Sequence, residues 1–402
     1  MQISRFLSKV TTALSVVVAM SVTAPVAADT VNCAPQNANC KQNDNCCLTW
    51  CNPAPQCPCA YNPSAHMQCG NRPCCGASDN VSGRIDVLYW RPCSDGLELG
   101  KAESFTQSQV GDDVVLTNES RAADPNFKFD TGFRLGIGYY CPCDCWDVSL
   151  NWIHFHAKAE SDGAGQIGTT LPYTTFVSDW ERYAGEYPTA IESRWTLDMD
   201  IVDLEFAKKY FVNHCFILRP YIGLRAARID QGYHVEAVQA SNPAVSTDFA
   251  SNVNSKSDFR GIGPRAGLDM EIRLGCGVSL FGGAAAALVF GTFDRHSSEE
   301  FTTGTSPAFD EYDPHGGGPG RCTVTMTDMA IGLKFEHCFE CCGCTHPFAL
   351  AFAWEHHAFY DLNHFNFAAE GLTSVGKVNG IHNGKVGDLT TQGLTVSAMV
   401  GF

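Results

Sequence analysis

Three sets of residues in this chain of 402 could do chemistry, and each is spaced in its own way. The first is sulfur. Twenty-one cysteines are present: ten lie between positions 33 and 75, two clusters read CPCDC at 141–145 and CFECCGC at 338–344, and Cys215 and Cys276 stand alone between apolar runs. Thiols at this density either hold a metal or pair with one another. The CPC at 57–59 and the CC pairs at 46–47 and 74–75 lack the two separated CxxC units of a typical zinc site, so disulfides are expected if the chain leaves the reducing cytosol. The odd number leaves at least one sulfur unpaired or joined to another molecule.

The second set is charge at alternate positions. Arg134, Asp147, Asp198, Asp200, Asp203, Glu205, Arg219, Arg225, Arg265, Asp269, Glu271, Arg273 and Glu355 fall by parity on the polar side of alternating segments, some across an expected bulge. In a closed tube, rings of such residues select ions by sign. Paired with each other, they fill the tube instead. The third set is imidazole: His154, His156, His356 and His357, with Asp294 or Asp361 as partners. Such pairs could activate water or bind a metal, or the rings could sit at a half-wet boundary. No GxSxG, HExxH or P-loop is present, which leaves no sign of hydrolase, zincin or nucleotide chemistry, and the sequence calls for no cofactor and no metal.

What must position these groups begins with an export signal. Arg5 and Lys9 precede an apolar run from Val10 to Val22 and then the small residues Ala24-Pro25-Val26-Ala27-Ala28, the order of a secretory signal cut after Ala28. Residues 29–80 carry the ten cysteines among Asn, Pro, Gln and Gly with almost no aliphatic side chains, so they are expected as irregular loops held by cross-links. The next most apolar stretch, Val278 to Gly291, is too short and too glycine-rich for a spanning helix. With 43 acidic against 27 basic residues the chain carries a net charge of −16, the wrong sign for a nucleic-acid partner.

From residue 81 the texture turns to period two. In LTVSAMVGF, Leu394, Val396, Ala398, Val400 and Phe402 share one face; in WDVSLNW, Trp146, Val148, Leu150 and Trp152 do; in HPFALAFAWE, Phe348, Leu350, Phe352 and Trp354 do. Ten strands are expected near 82–91, 127–140, 145–157, 194–211, 216–230, 258–274, 277–293, 322–337, 346–360 and 390–402. A hairpin at 97–118 would raise the number to twelve. Their joins alternate between short ones, which hold the cysteines, and long polar ones. This is the signature of an all-β, antiparallel up-and-down barrel in an outer membrane, with lipid as its first partner. A soluble sandwich also alternates but does not order its loops this way. With both termini on the periplasmic side, Cys141, Cys143, Cys145, Cys215, Cys276, Cys338, Cys341, Cys342 and Cys344 share a rim with the ten amino-terminal cysteines. That rim is a candidate cross-linked layer, joining the barrel to copies of itself or to other cysteine-rich envelope proteins. Cys93 and Cys322 fall at the opposite end.

RIDVLYWRPCSDGLELG, DTGFRLGIGYYCPCDCWDVSLNWIHFH, LRPYIGLRAA and the terminal VSAMVGF resemble the major-outer-membrane-protein-like porins of chlamydia-related bacteria and the related Legionella pore-forming proteins, over roughly residues 81–402. The resemblance implies a pore for small hydrophilic solutes, abundance in the bacterial outer membrane, and disulfide cross-linking of the envelope. Phe402 resembles the signal read by the barrel assembly machinery. Ten or twelve strands make a narrow tube, since eight are filled by their own side chains and sixteen leave a channel. The acidic excess favours cations if it conducts. The competing expectations are a structural or adhesive barrel without an open pore, with Tyr173, Phe176, Trp180, Tyr183, Tyr187 and Tyr233 in its loops, and a ten-stranded outer-membrane protease.

Overall fold

The structure is a computed structural model. It describes residues 81–401 apart from 111–112, 142–145, 165–172, 179–188, 213–214, 240–248, 304–305, 311–319, 342–343, 370–371, 374–375 and 378–380. The expected export signal, the cysteine-rich segment and Phe402 lie outside the described residues.

Ten strands form the barrel: β1 Val81–Ser94, β2 Asp130–Cys141, β3 Trp146–Ala164, β4 Ala190–Lys208, β5 Phe216–Gln239, β6 Phe249–Gly275, β7 Val278–Thr303, β8 Gly320–Cys341, β9 Cys344–Ala369 and β10 Ile381–Gly401. Each pairs antiparallel with its neighbours in sequence, and β1 pairs with β10 to close the sheet. Directly opposed residues lead from Gly332 through Ala353, Thr395, Leu88, Gly132, Phe155, Met199, Ile229, Phe259 and Phe293 back to β8 at Gly320. That stagger tilts ten strands by roughly 40° and fixes a narrow lumen.

The hairpin expected near 97–118 does form, as Gly100–Val110 paired with Asp113–Ala123. It joins Tyr173–Ser178 in a separate three-stranded sheet and adds no strand to the barrel. The turn between β6 and β7 is Gly275-Cys276-Gly277, all at positive φ (110°, 51° and 78°). Glycine adopts that backbone freely; Cys276 does not.

The strands run well past the lengths the alternation suggested. β5 and β6 absorb most of the expected 231–257 loop, and β9 and β10 together absorb most of the loop expected at 361–389. The reason is visible on β4, where period two continues unbroken while its polarity reverses. Inward, Ile191, Trp195, Leu197, Met199 and Ile201 are followed by Asp203 and Glu205; outward, Glu192, Arg194, Asp198 and Asp200 are followed by Val202, Leu204 and Phe206. Below the reversal the outside is apolar: Ile85, Val87 and Tyr89 on β1, Ile137 and Tyr139 on β2, Ile331, Leu333 and Phe335 on β8, and Phe352 and Trp354 on β9 are exposed. Rings such as Tyr89, Trp152 and Trp354 lie at the upper margin of this belt, where an interfacial girdle belongs. Above it the barrel stands in water and is built like a soluble protein, polar outside and apolar within.

Candidate functional site

The lumen contains two stacked layers. The lower one is ionic. On β2, Arg134 donates to Asp86 at 2.9 Å and to both oxygens of Glu355 across the lumen at 3.1 and 2.7 Å. On β5, Arg225 holds Asp203 with two bonds of 2.7 Å and reaches Asp328 on β8 at 3.2 and 2.7 Å. Arg265 on β6 bonds Asp328 at 3.1 Å and Glu205. His357 joins the two halves, its Nδ1 lying 2.7 Å from Asp328 and its Nε2 3.4 Å from Glu355. Nearer the periplasmic end, Arg219 pairs with Asp147 at 2.5 Å and with Asp269 at 2.8 Å, and Lys334 pairs with Glu271 at 2.5 Å and with Glu336 at 2.8 Å. Small inward residues on β7 (Gly283, Ala285, Ala287) and β9 (Ala349, Ala351, Ala353) leave the width these guanidiniums need. Taken out of water, each charge is stabilised only by its partners.

The upper layer is apolar. Leu88, Trp90, Phe155, Trp195, Met199, Ile229, Tyr233, Phe259, Val289, Met326, Phe359 and Phe365 pack into one cluster with Leu97 and Leu99, which the chain folds in after β1. The indole of Trp90 donates to Thr395 at 3.1 Å, and its ring lies 4.5 Å from that of His357, tying the two layers together. Tyr233, expected in an aromatic loop surface, is buried here with its hydroxyl donating to the carbonyl oxygen of Leu97 at 3.1 Å. Beneath the ionic layer a cavity of about 580 Å³ reaches toward the periplasmic end, between Ser82, Tyr140, Lys209, Arg273 and Met399. Burial pushes the Lys209 ammonium below its ordinary value; the carboxylates of Asp147 and Glu336 oppose that shift, and Arg219 and Lys334 add to it.

Of the thirteen charged residues singled out by alternation, eleven project inward: Arg134, Asp147, Asp203, Glu205, Arg219, Arg225, Arg265, Asp269, Glu271, Arg273 and Glu355. Asp198 and Asp200 do not. No bulge intervenes to turn them in; they face outward above the apolar belt, bonded to His156 at 2.6 Å and His154 at 3.0 Å. Parity alone separates them from Asp203, but the polarity reversal hid the parity. Asp86, Asp328, Lys334 and His357 are network members that the alternation argument missed. For Asp86 the signal was legible, an acid between Ile85 and Val87 on a strand whose outer face is apolar.

The four histidines do not converge. His154 and His156 lie on the outer wall, His356 points out and His357 is buried inside. Cys215 is disulfide-bonded, and Cys276 sits exposed in its turn. The side chains of Cys141, Cys143, Cys145, Cys338, Cys341, Cys342 and Cys344 lie outside the described residues. Cys93 faces out and Cys322 in, with β9 and β10 between their strands, so these free thiols do not meet.

A closed ten-stranded barrel with an apolar belt outside and paired charges inside defines a bacterial outer-membrane protein. The family described as Legionella pneumophila major outer membrane protein precursor matches residues 73–400. The chain belongs to that family. No curated protein matches it. Among solved structures, the outer membrane protease OmpT from Escherichia coli is similar at 12% identity over 81% of this chain and 98% of that one, with a TM-score of 0.36. The Pseudomonas putida toluene transporter TodX (10%, 81% and 90%, 0.25) and a Pseudomonas aeruginosa FadL homologue (10%, 81% and 90%, 0.24) are similar at lower scores. At such scores neither a protease nor a transporter role is carried over.

Proposed function

We propose that this protein is a structural barrel of the outer membrane, closed through its lumen and tied to the envelope by sulfur at its periplasmic rim. One observation carries the reading: from mid-membrane upward, the lumen is occupied first by cross-bonded charges and then by a dry apolar cluster. Hydrated ions and sugars do not cross a packed apolar layer without opening it. The cysteine-bearing turns gathered at one rim support the second half of the proposal.

A general diffusion pore is the second reading. The cavity open toward the periplasm and walled by charge favours it, because it makes half of a hydrophilic path. For solutes to pass, the cluster around Trp90, Phe155 and Phe359 must part. Purified protein in planar bilayers separates the two. The closed reading expects no steady ohmic steps from wild type, and conductance on replacing those three rings with alanine. Sustained wild-type conductance would overturn it, and its reversal potential in a salt gradient would then test the expected preference for cations.

A further inference from the structure

We infer that the outer wall of the barrel carries a seat for a phosphorylated lipid of the outer leaflet, with the phosphate held between Arg228 on β5 and Arg260 on β6. The two arginines are directly opposed across the β5–β6 ladder. Both point outward, alternating with Ile229 and Phe259, which are buried in the upper cluster. Opposed residues of an antiparallel pair have Cβ atoms about 5 Å apart, and like charges so placed repel; an anion between them turns the repulsion into attraction. The carboxylates nearby leave donors to spare. A guanidinium has five N–H groups, of which Arg228 gives one to Asp230. Asp200, on its other side, is bonded to His154 and to the Trp152 indole. Arg260 feels the charge of Asp258 on its own strand, yet among the described residues its exposed side chain closes no ion pair.

Position makes that anion a lipid phosphate. The arginines stand at the level where β4 reverses polarity, Arg228 facing Asp200 and Ala226 facing Val202. One step toward the membrane, Ala226, Ile262 and Phe290 form a directly opposed apolar row, with Ile262 and Phe290 exposed. One step away from it, Asp230, Asp258 and Asp294 form a directly opposed acidic row. From the belt outward, β5 and β6 therefore both run apolar, guanidinium, carboxylate. A lipid at a membrane surface has the complementary order: acyl chains, then phosphate, then the cations that phosphates collect. Guanidinium and phosphate form charge-assisted, bidentate hydrogen bonds, and clustered basic side chains at a bilayer surface bind phosphorylated head groups. The seat lies on the outer wall, so it goes beyond the closed-barrel reading and stands whether or not the lumen conducts.

Native mass spectrometry of the full chain in detergent, with diphosphoryl lipid A added, tests it. Wild type should retain a single copy. Arg260→Gln, which breaks no ion pair, should weaken retention at least about tenfold, the loss expected for one hydrogen bond to a charged group. Lys256→Gln, on the same strand and face but four residues further out, should leave retention unchanged, which separates a seat from the general pull of positive charge. Fully dephosphorylated lipid A should bind wild type no better than diphosphoryl lipid A binds Arg260→Gln. Urea unfolding in vesicles checks the fold of the variant: in phosphatidylcholine alone the two midpoints should coincide, and added diphosphoryl lipid A should raise that of wild type only. No lipid retained by wild type, equal retention by Arg260→Gln, an equal loss in Lys256→Gln, or a midpoint raised as much by inorganic phosphate as by the lipid would overturn the inference. None of these readouts depends on conductance, so their failure leaves the structural reading standing.

Discussion

Arg225 shows what the ionic layer asks of one side chain. It is 1% exposed and its guanidinium bridges Asp203 and Asp328, two acids from strands on opposite sides of the lumen. Arg225→Met removes the cation and leaves both carboxylates buried, with Arg265 still near both and His357 near Asp328. Breaking a buried pair from one side costs about 3–5 kcal/mol, and equilibrium urea unfolding of the protein folded into lipid vesicles should show a loss of that size. Arg194 is the control. Its pairing with Glu160 is more than 60% exposed on both sides, so Arg194→Ala should cost no more than about 1 kcal/mol.

At the scale of the strand, the notable property is one alternation with two polarities. β4 keeps a single register from Ala190 to Lys208, yet its outward face passes from charged to apolar between Asp200 and Val202. This locates the membrane surface on the strand and gives a graded prediction. Leu204→Arg puts a charge within the apolar belt and should destabilise the vesicle-embedded barrel by about 2–4 kcal/mol, whereas Thr196→Arg, on the same face above the belt, should fall within about 0–1 kcal/mol. Equal effects in vesicle unfolding titrations would mean that the belt has been placed wrongly along β4.

At the scale of the whole molecule, the barrel is asymmetric from end to end. Its outer half is a capped, water-exposed protein with a dry core, and its inner half is a lipid-facing tube with a charged interior and a sulfur-bearing rim. The rim is where load between barrels would pass. Native envelopes run on a non-reducing gel should therefore give a ladder of linked species that collapses to one band under reductant; a single band in both lanes would leave the barrel without covalent neighbours. Replacing Cys93 and Cys322, the free thiols at the other end, should leave that ladder unchanged.

The sequence by itself determined the barrel. Period-two runs, short cysteine-bearing turns alternating with longer connections, and an apolar face on every span follow from local stereochemistry and from the demand of lipid, so they can be read one segment at a time. The same local logic placed Arg134, Asp203, Arg225 and Glu355 inside. It could not place Asp198 or Asp200, nor anticipate that the lumen is filled, because both depend on where each strand leaves the bilayer and on which side chains meet across the tube. Arg134 with Glu355, and Arg225 with Asp328, are 221 and 103 residues apart in sequence. Only closure at a particular stagger brings them within hydrogen-bond reach, and that closure decided that the interior is packed with partners.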